Sequence, residues 1–311
     1  MKATFFKHTL QFKQASGTSR GVLTYKDTWF IELENNALKG IGECGMFKGL
    51  SIDDRDDFEE TLNWACQNIH LGLDALLGQL VAFPSIQFGL EMAFRSLKQK
   101  LPFDLFPSEF TSGQDSIPIN GLIWMGESSF MKQQIKDKLE AGFSCIKLKI
   151  GALDFDKELA LLKSIRDEYD AQTIEIRVDA NGAFKPREAL EKLKRLSDFN
   201  IHSIEQPIKQ GQLQEMAQLC LDTPLPIALD EELIGTFSVT NKQVLLQTIK
   251  PQYIILKPTL VGGFKGSQEW IDVAESHNIC WWVTSALESN IGLNAIAQWT
   301  YTLKNNLPQG L

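Results

Sequence analysis

The chain has 311 residues, of which 43% are hydrophobic and 23% are charged, and its formal net charge is −8 at pH 7. This length suits one large domain or two moderate ones with a sizeable hydrophobic core. The acidic balance leaves no basic surface for nucleic acid or for an anionic membrane, so we expect neither as a partner.

The first residues and the cysteines indicate a cytoplasmic protein with reduced thiols. Lys2 and Lys7 interrupt the N-terminal sequence too soon for a signal peptide. No apolar stretch approaches the roughly 20 residues that cross a bilayer. The five cysteines are scattered, odd in number and without a C-x-x-C motif. That distribution is typical of free thiols rather than of a disulfide framework or a zinc site.

Residues 1–110 carry the pattern of a small α+β domain. Four strand-like segments come first, at residues 5–12, 21–25, 28–33 and 40–44. Between about residues 52 and 100 the period becomes helical, with Ile86, Leu90, Ala93, Phe94 and Leu97 on one face. Strands followed by helices predict an α+β domain, and the proline-containing and polar residues up to about 115 predict a junction.

Residues 111–311 alternate between strand and helix patterns. Strands are predicted at residues 116–122, 144–150, 173–179, 201–205, 226–230, 253–257 and 280–285. Repeated βα units without a glycine-rich dinucleotide turn favour a parallel β/α barrel over a Rossmann sheet. No eighth strand is visible, so this catalytic domain is expected to lack its C-terminal end and to leave exposed sheet edges.

Charged residues close five of these strands. In chain order they are Lys147 with Lys149, then Asp179, Glu205, Asp230 and Lys257. The spacing of about 25 residues between the acids is what one strand, one loop and one helix consume. Because alternate residues of a strand share a face, these charges are predicted to point into the barrel while their aliphatic neighbours face the helices. The carboxyl ends of barrel strands are where barrel enzymes build their active sites.

The three carboxylates predict a cation site. Hard oxygen ligands suit Mg²⁺, or Mn²⁺ in its place, better than Zn²⁺, which prefers histidine and cysteine. The nearby lysines suggest acid–base chemistry. The alternative is an ion-pair lattice that only fills the barrel, but such a lattice has no reason to gather at one end of successive strands.

Five short motifs in this order and spacing resemble the enolase superfamily, and within it the muconate-lactonising branch. They are Lys147-Leu148-Lys149, Asp179-Ala180-Asn181, Glu205-Gln206-Pro207, Asp230-Glu231 and Lys257-Pro258. The resemblance covers nearly the whole chain, including Gly42-Glu43-Cys44 and the helix around Glu91. It implies a modified TIM-type (β/α)7β barrel, of class α/β, with an N-terminal α+β capping domain that sets substrate specificity.

The resemblance also implies roles for the charged residues. Lys149 would remove a proton next to a substrate carboxylate, and Lys147 would stabilise charge. Lys257 would face Lys149 across the substrate, as a second base or as a cation that stabilises the intermediate. Asp179, Glu205 and Asp230 would bind the metal. Asn181 and Glu231 would support the site from just outside it.

Residues 120–124 and 284–292 resemble the o-succinylbenzoate synthases. This implies Mg²⁺-dependent syn-dehydration of 2-succinyl-6-hydroxy-2,4-cyclohexadiene-1-carboxylate through an enediolate, in menaquinone biosynthesis. Ser285 would hold a substrate carboxylate; the alternative is an ordinary helix cap. Arg20 would meet a substrate anion from a specificity loop at residues 16–21; the alternative is a plain solvated loop. Residues 46–51 are a second candidate capping loop.

Other functions remain open at this point. Dipeptide epimerases and N-acylamino acid racemases use the same pair of lysines, so the small-molecule carboxylate substrate is not fixed by them. A truncated, inactive paralogue is the alternative outside enzymology. The sequence leaves the oligomeric state open.

Overall fold

The computed structural model describes residues 1–18, 21–124, 126, 128–152 and 154–311, with the side chains of 14–18, 21 and 128 left out. It contains a three-stranded antiparallel sheet near the N-terminus and a seven-stranded parallel sheet after it. Among the described helices, none has the length and apolar character that crossing a membrane requires.

The N-terminal unit is an antiparallel sheet covered by helices, which forms a cap. Its strands are β1 (Lys2–Thr18), β2 (Gly21–Asn35) and β3 (Leu38–Cys44). Its helices are α1 (Phe58–Gln67), α2 (Leu73–Gln79) and α3 (Pro84–Ser96), with a short 3₁₀ turn at Ile69–Leu71. Helix α3 lies so close to β3 that a Cβ on Gly42 would be 1.9 Å from the carbonyl oxygen of Gly89. The two strands predicted at 21–25 and 28–33 form one strand.

Asp53 is a buried carboxylate that anchors the start of α3. Its Oδ2 accepts hydrogen bonds from the Ser85 backbone nitrogen at 2.9 Å and from Ser85 Oγ at 2.6 Å. Its Oδ1 has no hydrogen-bond partner among the described residues. Burial raises the pKa of Asp53 to about 6, although the bonds from Ser85 oppose that change.

We predict that Asp53 makes the cap less stable as the pH rises from about 4 to 6. The folded protein then holds a proton that the unfolded chain, with its lower pKa, has already lost. The stability of the wild type relative to Asp53→Asn should fall by up to about 3 kcal/mol across this range and stay level above it. Urea unfolding of both proteins at several pH values measures the difference. A difference that does not change with pH would show that Asp53 titrates alike in both states.

The C-terminal unit is a curled parallel sheet surrounded by helices. Its strands are β4 (Gly121–Ile123), β5 (Cys145–Lys149), β6 (Glu175–Asp179), β7 (Ser203–Glu205), β8 (Ile227–Leu229), β9 (Tyr253–Leu256) and β10 (Cys280–Val283). Its helices are α4 (Ser128–Glu140), α5 (Phe155–Glu168), α6 (Pro186–Ser197), α7 (Leu213–Asp222), α8 (Val239–Ile249), α9 (Pro258–Val261), α10 (Gly263–Ser276) and α11 (Asn290–Thr302). A 3₁₀ turn spans Glu231–Leu233. The seven strands follow one another in chain order across the sheet, as predicted.

The two edges of this sheet are joined by a short segment near the end of the chain. Gln309 bridges to Ile119 and Gly310 bridges to Thr284, both in parallel orientation. The Asn120 nitrogen donates to the Gln309 carbonyl at 2.9 Å, and the Gly310 nitrogen donates to the Val283 carbonyl at 2.8 Å. The prediction of exposed edges is therefore wrong at this level of the barrel. A two-residue bridge satisfies the backbone groups that an open edge would leave unpaired.

Candidate active site

The predicted lysines and carboxylates converge at the carboxyl ends of the strands. The strand register pairs Lys149 with Asp179, and Asp179 with Glu205. The side chain of Lys147 contacts Asp179 Oδ2 at 3.1 Å and also contacts Glu205. Across the site, Lys257 forms an ion pair with Asp230. The sheet thus brings together all six residues that close the strands.

Lys149 is held by two partners. Its Nζ lies 3.2 Å from Asp179 Oδ2 and 2.5 Å from Asn181 Oδ1. Asn181 has a φ of 43°, a left-handed conformation that asparagine tolerates better than most residues. From there its backbone nitrogen donates to Asp179 Oδ1 at 3.0 Å, and its Nδ2 donates to Glu231 Oε1 at 3.0 Å. Asn181 therefore links Lys149 to Glu231, so both supporting residues named from the sequence lie beside the lysine.

Burial and mutual charge determine the titration of these groups. Burial alone would lower the pKa of Lys147, but the charges of Asp179 and Glu205 outweigh it and raise that pKa well above its usual range. Burial would likewise lower the pKa of Lys257, but the charges of the neighbouring acids, Asp230 first among them, together raise it. The pKa of Asp179 is lowered by the surrounding lysines despite its burial. Burial and the nearby Asp179 charge raise the pKa of Glu205 to about 8, and burial raises that of Asp230.

The carboxylate set fits a hard divalent cation by its chemistry. Asp179, Glu205 and Asp230 offer only oxygen donors, and each side chain is at most 3% exposed. Glu205 Oε1 is buried and has no hydrogen-bond partner in the part of the chain that the structure describes. Over that same part, no group of three His, Cys, Asp or Glu side chains stands in a ready ligand arrangement. Instead the ammonium groups of Lys147 and Lys257 lie against these carboxylates.

A cavity of about 300 Å³ opens beside these residues. Lys147, Lys149, Asp179, Asn181, Glu231 and Lys257 all line it. Its apolar wall contains Phe47 and Leu50 from the cap, so the segment predicted as a second capping loop does reach the site. Ser285 lines it too, and no hydrogen bond from Ser285 Oγ is found among the described residues. Arg20 lies outside the described residues, so its predicted contact stays a prediction.

Several lining residues had no role predicted from the sequence, and Trp282 and Asn120 are two of them. Trp282 lies on β10, and Asn120 lies just before β4. Trp282 follows Trp281 directly, and the period of two in a strand requires one of the pair to face inward. That alternation was an available signal for Trp282. Asn120 belongs to segment 120–124, which resembles the synthases, but a single amide before a short strand is common in loops and predicted no role of its own.

Known proteins resemble the chain in both sequence and structure. The family described as enolase C-terminal domain-like matches residues 131–310, which is more than half of the chain. The chain belongs to this family. It is an enzyme of the enolase superfamily, in the muconate-lactonising branch, as the sequence motifs predicted. The inactive-paralogue alternative is therefore not retained.

Three comparisons with known proteins are informative. The o-succinylbenzoate synthase of Desulfotalea psychrophila is 46% identical over 342 aligned residues, covering 100% of this chain and 93% of that protein. The crystal structure of MenC from Desulfotalea psychrophila LSv54 superposes with a TM-score of 0.90 at 44% identity, covering 100% of this chain and 93% of the other. The dipeptide epimerase of Enterococcus faecalis V583, solved with Mg and L-Leu-L-Tyr, has a TM-score of 0.84 at 21% identity, covering 99% and 88%. The epimerase supports the shared fold alone.

Proposed function

We propose that this enolase-superfamily enzyme is an o-succinylbenzoate synthase. It would dehydrate 2-succinyl-6-hydroxy-2,4-cyclohexadiene-1-carboxylate to o-succinylbenzoate for menaquinone biosynthesis. The observation that carries the proposal is the 46% identity, over the whole chain, to the Desulfotalea psychrophila synthase. The cavity supports it, because Lys147, Lys149 and Lys257 line a space that also has an apolar wall.

The chemistry requires a base and a means to stabilise negative charge. Lys149, as the neutral amine, takes the proton next to the substrate carboxylate, and the electrons of that C–H bond move into an enediolate. Lys149, now an ammonium, returns the proton to the hydroxyl that leaves from the same face. The C–O bond breaks, water departs and the ring becomes aromatic. Asp179 and Asn181 hold the Lys149 nitrogen in place through both steps.

The remaining charged residues serve the developing anion. Lys257 presents a fixed positive charge from the carboxyl end of β9, across the site from Lys149. The charge of Asp230 helps to keep its ammonium protonated. Lys147 adds a second positive charge beside Asp179 and Glu205. Asp179, Glu205 and Asp230 would hold Mg²⁺, or Mn²⁺ in its place. When bound, that cation would supply positive charge for the substrate carboxylate.

The substrate's second carboxylate needs a polar partner on the cavity wall. We infer that Ser285 provides it, because its hydroxyl lines the cavity. Arg20 is the other predicted anion contact. Phe47, Leu50 and Trp124 would pack against the ring and the succinyl chain. An apolar wall beside convergent polar groups is typical of a small-molecule site.

Racemisation or epimerisation is the competing activity. It uses one lysine on each face of the α-carbon, and Lys149 and Lys257 could serve that reaction too. To distinguish dehydration from racemisation or epimerisation, the purified protein is assayed with Mg²⁺ on three substrate classes. They are the cyclohexadiene carboxylate, N-succinylamino acids and hydrophobic dipeptides. We expect kcat/KM for the diene, followed by its loss of absorbance, to exceed that for the others by at least about 100-fold. Deuterium exchange in D₂O measures the α-proton reaction of the other two classes. Exchange into dipeptides without dehydration of the diene would overturn the synthase proposal.

A further inference from the structure

Lys26, on β2 of the cap, reaches across to the barrel. It is 6% exposed, and its Nζ donates to the backbone carbonyl oxygens of Ala286 and Leu287, each at 3.0 Å. A buried ammonium needs such acceptors, because leaving it without them costs several kcal/mol. One cap residue therefore fixes two consecutive peptide groups of the barrel.

Those peptide groups belong to the cavity wall. Ser285, Ala286 and Leu287 follow β10 and line the cavity beside the two lysines. The Lys26 ammonium also lies 5.5 Å from the ring centroid of Phe47, which lines the cavity from the cap. The same charged group thus contacts a wall residue of each domain.

The wall segment is held in a conformation that it would not favour alone. Leu287 has a φ of 58°, in the left-handed region that leucine rarely occupies and that costs about 1 kcal/mol or more. Glu288 secures the same segment as well. Its Oε2 accepts from the Ala286 nitrogen at 2.7 Å, and its Oε1 accepts from Thr259 Oγ1, two residues after Lys257.

Other residues hold the two domains together. Glu43 of the cap accepts hydrogen bonds from Ser289 Oγ at 2.5 Å and from the Gly292 nitrogen at 2.8 Å, at the start of α11. Glu91 accepts one from the Lys265 nitrogen at 3.0 Å, near the start of α10. Both carboxylates lie at helix N-termini, where negative charge is stabilised. Domain docking therefore does not depend on Lys26 alone.

We propose that Lys26 is a positioning residue for substrate binding. It ties wall segment 284–288 to the cap and to Phe47, and so sets the shape of the cavity without touching the reacting atoms. The proposal rests on the proposed function insofar as the wall meets the dehydratase substrate. A displaced wall weakens substrate binding more than it slows proton transfer, because Lys149 is held by Asp179, at the end of β6, and by Asn181, just after it.

The test compares Lys26→Met with Lys242→Met. Lys242 is also buried, and its Nζ donates to the Gly266 carbonyl at 3.0 Å and pairs with Glu269 at 2.7 Å, but it lies on α8 and does not line the cavity. We expect Lys26→Met to raise KM by about 10-fold or more while kcat changes by less than about 3-fold. Lys242→Met should leave KM unchanged. A fall in kcat at unchanged KM in Lys26→Met would overturn the positioning role.

Hydrogen exchange keeps the proposal testable if a variant is unstable or the substrate is misassigned. The amides of Ser285, Ala286 and Ser289 are hydrogen-bonded and should exchange slowly in the wild type. Their exchange should accelerate in Lys26→Met relative to the barrel strands, and not in Lys242→Met. Unchanged exchange at these amides would overturn the proposal. If the wild type fails to dehydrate the diene, the function proposal fails, while exchange still decides the role of Lys26.

Discussion

Replacing Lys149 with alanine is expected to lower kcat for diene dehydration by about 10³-fold or more. A positioned general base contributes typically 10²–10⁴-fold, and Lys149 would serve as base and then as acid in the same turnover. Its Nζ is fixed by Asp179 at 3.2 Å and by Asn181 at 2.5 Å. Loss of diene absorbance under saturating substrate measures kcat directly.

Two control variants distinguish the loss of the Lys149 base from the loss of a positive charge. Lys149→Arg keeps a positive charge but cannot lose its proton near neutral pH, so it should be nearly as inactive as Lys149→Ala. Lys163→Ala removes an exposed lysine on the surface helix α5 that forms an ion pair with Asp167, and it should retain full activity. Turnover above about a tenth of wild type in Lys149→Ala would remove Lys149 from the role of base.

Most of the candidate site could be predicted from the sequence, because strand side chains alternate with a fixed period. Ile146 and Leu148 of β5 are buried among the helices, as their alternation with Lys147 and Lys149 requires. Parallel strands that are joined by helices also bring their carboxyl ends to the same side of the sheet. Charged residues at those ends therefore lie close together, regardless of how the helices pack. That is why the strand-closing charges were placed correctly without any structural information.

The contacts between distant segments could not be predicted in the same way. Lys26 and Asp27 lie between the two strands predicted at residues 21–25 and 28–33. Lys26 is instead accommodated within β2, because its charge is satisfied by carbonyl groups 260 and 261 residues away in the sequence. The bridge at Gln309 and Gly310 is too short to carry any periodic pattern. Both features depend on the tertiary arrangement, which local propensity does not encode.

Mg²⁺ is expected to stabilise the protein, and Glu205→Gln is expected to weaken that effect strongly. The three carboxylates are buried close together, and burial with the neighbouring Asp179 charge raises the pKa of Glu205 to about 8. A divalent cation would relieve this crowding, and Glu205 Oε1 is a buried oxygen without a hydrogen-bond partner among the described residues. Replacing one carboxylate ligand should raise the apparent Kd for Mg²⁺ by at least about 10-fold, the lower end of what even outer partners of metal ligands cost.

Thermal unfolding over a Mg²⁺ titration, with EDTA as the reference, measures this affinity without any substrate. At 100 times its Kd, a ligand that binds only the folded state stabilises it by about 2.7 kcal/mol. Glu232→Gln is a matched control, since that buried carboxylate already accepts hydrogen bonds from Gln206 Nε2 at 3.0 Å and from the Gly211 nitrogen at 2.9 Å. It should leave the Mg²⁺ dependence intact. Equal Mg²⁺ responses in Glu205→Gln and the wild type would exclude Glu205 as a ligand. No Mg²⁺ response in the wild type would mean that the three carboxylates form ion pairs with the site lysines and bind no cation.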